Sequence, residues 1–351
     1  MSSDSLAQLR TLLAEESSWS GWLSICEHLN QWPHGQERQL ALEYAQNHLD
    51  ASWPPQWRKP IHTWPLTHAG HLLTVEHAHH QKTFPEIREF WIPPGTFEVG
   101  STSEERVDNH HELMRHRVQL TRGLWVHEHM VHHQQWEKLM DGNPSNIKRS
   151  EEDKTRYPVD NVNWYGAMAY CNALSRAEGL EEAYTFTEER QTPNARDYEA
   201  KVVWKGFDCE GYRLPTEHEW EVFARAGCRE NWYGVPEQIA WLDSSGDHDF
   251  GPRPLGQKQP NVWGFYDVIG NMWEWTMDAA ISTIQDIDSY PYPPEDNRLM
   301  IDPLHWGDAR EIVLRGGSWS ENHEESGVGA RFLDYRNLGD EYSCFRPVRK
   351  G

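Results

Sequence analysis

No helix can run through residues 53–65, because Pro54, Pro55, Pro60 and Pro65 lack amide donors and push the residues before them toward extended geometry. This run, WPPQWRKPIHTWP, divides the chain into stretches of different pattern. Ahead of it, apolar residues recur at helical spacing: Leu6, Leu9, Leu12 and Leu13, then Trp22, Ile25, Cys26 and Leu29, then Leu40, Tyr44 and Leu49. That spacing predicts three short amphipathic helices. Charge divides the chain as well. Of the formal net charge of −22, residues 1–88 carry −3 and residues 89–351 carry −19. We therefore expect a small helical, Trp- and His-rich N-terminal domain at 1–88 and a larger acidic domain at 89–351.

Such acidity argues against nucleic acid as a partner, since phosphate contacts need a basic footprint. Protonating all 20 His would bring −22 to −2, so the chain loses most of its net charge in acid. With 37% hydrophobic and 12% aromatic residues it can bury a sizeable core. Cys26, Cys171, Cys209, Cys228 and Cys344 are scattered without C-x-x-C spacing, which favours neither a disulfide framework nor a zinc knuckle. The N-terminus lacks a basic segment followed by an apolar one, and no stretch of 18 apolar residues occurs. The expectation is a cytoplasmic protein without a membrane partner.

His68, His71, His77, His79 and His80 invite a metal reading. His77 and His79 would share one face of a strand while His80 points away, so a His-rich surface segment is the simpler account. In GYRLPTEHEWE, Thr216 followed by Glu219 forms a capping box behind Pro215, predicting a helix from about 217 with Trp220, Phe223 and Ala224 as its buried stripe. In VDNVNWYGAMAYCNALS, Trp164, Met168, Cys171 and Leu174 predict a second helix capped by Asn163, with Cys171 in the core. Gly316 and Gly317 predict a tight turn feeding a buried Trp319.

Seven stretches then stand in a telling order: residues 90–101, 116–145, 157–175, 211–227, 261–278, LRGGSW at 314–319 and FRPVR at 345–349. Together they resemble the formylglycine-generating enzyme (sulfatase-modifying factor) family. The resemblance implies an α+β, C-type-lectin-like fold with little regular secondary structure and many buried tryptophans. Members that make formylglycine hold copper with two cysteines downstream of the RGGS turn. Glu321 and Ser326 stand at those positions, and neither offers the thiolate that copper(I) needs, so copper is not expected. Cys344 is expected to be packed rather than catalytic.

The resemblance also raises a metal-dependent oxidase or oxygenase with a rearranged, His-based site, as in the related sulfoxide synthases with their H-x-x-x-H-x-E iron motif. The nearest match, His129, His133 and Gln135, lacks the carboxylate, and His132 falls where the family has a Thr helix cap. Ser318, Ser320, His323, Glu324 and Glu325 lie close in sequence but read as a polar loop rather than a hydrolytic triad. A structural calcium ion is implied at DVIGNMWEW, held by the side chains of Asp267 and Glu274 and the backbone oxygens of Gly270 and Met272. The other reading pairs Glu274 with a buried arginine such as Arg315.

Without its thiols, such a scaffold is left with ligand display. In one related branch, the variable proteins, the stretch between RGGSW and the last strand forms the binding surface. Here its candidates are Ser320, Glu321, Asn322, His323, Tyr335, Asn337, Asp340 and Tyr342, with Arg331 and Arg336 as internally paired scaffold residues. The expected function is non-catalytic binding of a protein or peptide with a basic surface, drawn to the acidic domain.

Overall fold

A computed structural model of the protein describes residues 76–79, 88–92, 94–101, 113–146, 150, 153–187, 200–243, 251–261, 263–280 and 299–351. The three helices expected within residues 1–50, the proline run, His68, His71 and His80 lie outside them. Among the described residues, strands outnumber helices and most are short, in keeping with the α+β expectation.

Among the described residues, four sheets organise the fold. The first has the order β1 (Glu76–His79), β2 (Arg88–Ile92), β5 (Leu124–His127) and β13 (Val348–Lys350), all antiparallel. It joins the last described strand to the first two described ones. β1 precedes the boundary expected at residue 88 and yet pairs in register with β2, His77 opposite Phe90 and His79 opposite Arg88. A second sheet has β3 (Gly95–Val99) beside β4 (His116–Leu120) and β9 (Met300–Ile301). The central sheet runs β11 (Gly327–Tyr335), β10 (Glu311–Gly316), β8 (Trp273–Ala279) and β12 (Ser343–Cys344), with β12 parallel to β8. A hairpin of β6 (Tyr184–Thr187) and β7 (Lys201–Trp204) completes the set.

The helices form where their caps predict. α1 (His133–Leu139) is capped by His132, whose Nδ1 accepts from the Gln135 amide while Gln135 Oε1 accepts from the His132 amide. His132 thus fills the capping role that the resemblance gives to Thr. α2 (Trp164–Ala177) is capped by Asn163, whose Oδ1 accepts from the Gly166 amide at 2.8 Å, and it buries Cys171. α3 (Glu217–Arg225) carries the predicted capping box of Thr216 and Glu219 and ends at Ala226 in the left-handed conformation. A short α4 (Pro236–Ile239) follows.

α3 departs from its expected amphipathic stripe, because all nine of its residues are buried. A helix reading EHEWEVFAR survives burial only if every charge finds a partner. Glu219 takes Arg213 through two hydrogen bonds of 2.6 and 2.7 Å. Glu221 holds Arg225 on one oxygen and Arg315 of β10 on the other. Glu217 receives Arg331 of β11 at 2.7 Å. Arg315 also donates to the carbonyls of Val328, Gly329 and Ala330, pinning the register irregularity beside Gly316.

Two apolar clusters flank this layer. One gathers α2, β8 and the Trp136, Tyr170 and Phe345 rings, and also contains Cys344, packed as expected. The other packs α3 against the sheets holding β2, β5 and β13 and holding β3 and β4.

Thr216→Ala should remove one capping bond and cost about 1 kcal/mol. Glu221→Gln should cost about 3–5 kcal/mol, because two buried guanidinium groups then lose their counter-charge. Urea denaturation ranks the two, and an equal cost would mean that α3 is held by its cap rather than by its ion pairs.

Candidate functional site

Gly316 and Gly317 turn the chain out of β10 with φ of 99° and 93°, a region that side chains rarely adopt. A Cβ on Gly317 would stand 2.4 Å from Ser326 Oγ, so this turn brings residues 318–326 back against the sheet. Ser318 is buried, with its hydroxyl 3.0 Å from that of Ser320 and 3.4 Å from Glu321 Oε1. Ser326 Oγ is buried with no hydrogen-bond partner among the described residues. Trp319, expected in the core, is half-buried instead, because its Nε1 donates to the Glu341 carbonyl at the rim and its ring packs on Tyr342.

Trp273, at the start of β8, connects this turn to the rest of the face. Its Nε1 donates to Glu321 Oε1 at 3.2 Å, its amide donates to the Tyr342 carbonyl, and its ring stacks on Phe332 of β11 at 5.5 Å. Six of the eight sequence candidates (Ser320, Glu321, His323, Asn337, Asp340 and Tyr342) are half-buried, while Asn322 and Tyr335 are exposed. The structure brings Ser320, Glu321 and Tyr342 together around Trp273. His323 sits to one side with its ring stacked on Trp232. Tyr335 and Asn337 lie at the far end of β11. The Asp340 carboxylate accepts from the Tyr342 amide.

Sequence reasoning missed the aromatic members, Trp273, Phe332, Trp319 and Trp232. Phe332 and Tyr335 are 45% and 47% exposed on the last part of β11. Trp273 was legible only as scaffold in WEW, since its partners stand far away along the chain. Of the two scaffold arginines, Arg331 is buried on Glu217, whereas Arg336 pairs at the surface with Asp308.

The face is acidic and its carboxylates repel one another. Burial raises the Glu321 carboxyl, and neighbouring Glu325 adds to the shift. Burial pushes Asp334 up to about 6, against a hydrogen bond from the Tyr335 amide, with Asp340 and Glu311 adding repulsion. Tyr342 is raised by burial and then by Glu341, Asp340 and Glu321. Acidic neighbours thus run from Glu311 and Asp334 through Asp340 and Glu341 to Glu321 and Glu325.

The other candidate chemistries do not assemble. Ser318 bonds to Ser320 and Glu321, and His323 is taken up by Trp232, so no Ser–His pair forms. Gln135 is occupied in the α1 cap, His133 lies beside Asn143, and His129 packs on Tyr266. Cys171 and Cys344 are buried with their thiols pushed up by desolvation.

At the expected calcium position, Asp267 has φ of 54° and its Oδ2 accepts from the Gly256 amide, while burial pushes its carboxyl up to about 6. Gly270 O accepts from the Met272 amide. Glu274 receives Arg346 Nε and Nη2 at 3.1 and 2.8 Å and Trp220 Nε1 at 2.9 Å. Its charge is thus met by a guanidinium in this arrangement. The arginine on Glu274 is Arg346 rather than Arg315. Arg315 faces Glu274 only in backbone register and sends its side chain to Glu221.

Residues 74–350 match the family model described as a sulfatase-modifying factor enzyme 1-like domain. Among curated relatives, the chain is 29% identical over 251 residues to the chaperone protein LppX of Paenibacillus barcinonensis, covering 64% of this chain and 80% of that one. It is 28% identical over 187 residues to the inactive C-alpha-formylglycine-generating enzyme 2 of Bos taurus, covering 50% of this chain and 42% of the bovine one, less than half its length. Among solved structures, Treponema denticola variable protein 1 superposes with a TM-score of 0.62 at 24% identity, over 79% of this chain and 99% of that one. This likeness shows that the two share a fold.

Because folded Asp334 holds its proton more tightly than the ordinary carboxyl near 3.8, its ionised form opposes folding above pH 6, and the opposition fades as pH falls from about 6 toward 4. Asp334→Asn keeps an acceptor for the Tyr335 amide. It should raise stability by about 1 kcal/mol at pH 7, allowing for solvent screening, and leave it unchanged at pH 4. Equal effects at both pH values in denaturant titrations would show that ionisation of Asp334 is not the cause.

Proposed function

The chain belongs to the sulfatase-modifying factor family, and within that family we propose that it acts as a non-catalytic module binding a protein or peptide with a basic surface. The observation that carries this reading is the acidic, aromatic face around Trp273. Exposed Phe332 and Tyr335 offer ring surface, and Glu311, Glu321, Glu325, Asp334, Asp340 and Glu341 surround them with carboxylates, whose repulsion adds to burial in raising Glu321 and Asp334. A lysine or arginine side chain relieves that repulsion and can lie against an aromatic ring. With Glu321 and Ser326 at the positions where the family's copper thiols are expected, the residues at the Gly316–Gly317 turn supply hydrogen-bonding oxygens rather than a redox pair. The names of two relatives, a chaperone and an inactive enzyme, support the same reading.

Binding of this kind has a defined dependence on salt and pH. Raising salt screens the face, and acidification through about 6 neutralises Asp334. The test uses the full chain with a set of Lys/Arg-rich peptides, alongside capture from the native lysate. Affinity should fall at least about tenfold between 50 and 300 mM salt and again between pH 7.5 and 5.5. Replacing Glu321, His323 and Tyr335 together with Ala should abolish capture and leave the melting temperature nearly unchanged. Capture indifferent to salt, pH and the triple substitution would sink the proposal, as would conversion of a cysteine peptide to formylglycine by the purified protein.

A further inference from the structure

The first turn of α3 and the end of β8 meet in the buried layer, away from the binding face. We propose that Glu217, His218 and Asp278 form a buried binding site for a divalent transition-metal ion of the zinc type. One ligand atom from each lies within 4.8 Å of the others, and all three residues are buried. Donors around a tetrahedral ion at about 2.0–2.2 Å stand about 3–4 Å apart, so adjustments of less than about 1 Å close the group.

The second observation is His218 itself. Its side chain is 1% exposed, and neither ring nitrogen has a hydrogen-bond partner among the described residues. Two polar atoms buried with nothing opposite them destabilise a fold unless something fills the gap. His116 of β4 packs edge-on against this ring at 5.3 Å. Its Nδ1 lies 2.7 Å from the Met114 carbonyl, which requires the proton on Nδ1 and leaves a lone pair on Nε2. That Nε2 is buried and also lacks a hydrogen-bond partner among the described residues. A second buried imidazole therefore packs against the ring of the nitrogen donor.

The carboxylates are already oriented as ligands usually are. Arg331 holds Glu217 Oε2 at 2.7 Å and reaches Oε1 at 3.2 Å, so the second oxygen is the less committed. Asp278 accepts the Glu217 amide on Oδ2 and the His305 amide on Oδ1, leaving each oxygen a further lone pair. Imidazole combined with carboxylate suits zinc and its neighbours, whereas calcium prefers an all-oxygen shell of six or more. An ion there would tie the start of α3 to β8 and, through His116, to β4.

The experiment strips the full chain with chelator, adds Zn2+ alone, and measures retained metal and melting temperature. The wild type should retain one Zn2+ per chain at this site and melt about 5 °C higher with saturating Zn2+. His218→Phe keeps the ring volume and should bind at least about 100-fold more weakly and lose the rise in melting temperature. If that variant fails to fold, His218→Ala is judged by the same criteria. A third form, with His68, His71, His77, His79 and His80 replaced by Asn, separates this site from the His-rich segment and should keep both signals. The proposal is overturned if no Zn2+ is retained, if retention follows the five histidines rather than His218, or if Ca2+ gives the same rise.

Discussion

Glu221 holds two guanidinium groups inside the protein, and much of the remaining geometry depends on that arrangement. Its carboxyl is pulled down to about 2 by Arg225 and Arg315 despite complete burial. Removing three charges from water costs far more than one contact returns, so the cluster is stable only when every proton and lone pair is met. Arg315 meets three successive carbonyls of β11 and thereby sets where that strand lies. Arg225 donates to the Gly100 carbonyl just beyond β3, and Glu221 accepts the Gly100 amide, linking α3 to the second sheet. Glu274 with Arg346 repeats the device, with Arg346 also taking the carbonyls of His127, Glu128 and Tyr266. Each guanidinium fixes several backbone segments at once, which adds to what the mostly short described strands hold together.

The acidity of the chain consequently has two parts. Inside, Glu89, Glu217, Glu219, Glu221 and Glu274 are matched by arginines and contribute little field outside. On the face around Trp273 the carboxylates have one another as neighbours, which adds to burial in raising the proton affinity of Glu321 and Asp334. The two parts meet in β8, where Trp273 faces the rim and Glu274, the next residue, faces the interior. A strand reverses its side chains at every residue, so one short segment serves both surfaces.

Local chemistry made the helix starts legible. Thr216 with Glu219, and Asn163, depend only on residues within one turn, and each forms as read, whereas the cap position of His132 was implied by the family resemblance. The core position of Cys171 was legible for a similar reason, since it follows from helical spacing, and that of Cys344 was implied by the family resemblance. Long-range partners were not legible. Trp319 reads as a core residue until its indole finds the Glu341 carbonyl, and Glu274 reads as a ligand or as a mate for Arg315 until Arg346 reaches it from the segment between β12 and β13. The candidate face was half legible. Its segment was located, yet Trp273 and Phe332 enter only because β8 and β11 flank β10 in one sheet.

By itself the sequence determined where helices start, which residue types stand at the turn after β10, and that the C-terminal part is strongly acidic, because these depend on neighbours in the chain and on composition. Only the tertiary structure decided which acids are neutralised and which are left to attract a partner. It also decided that α3 is buried on every side and that His218 faces Glu217 and Asp278 with its ring nitrogens unbonded to the described residues. The physical reason is that the effect of a charge depends on its distance to other charges and to water, and those distances are set by segments far apart in the sequence.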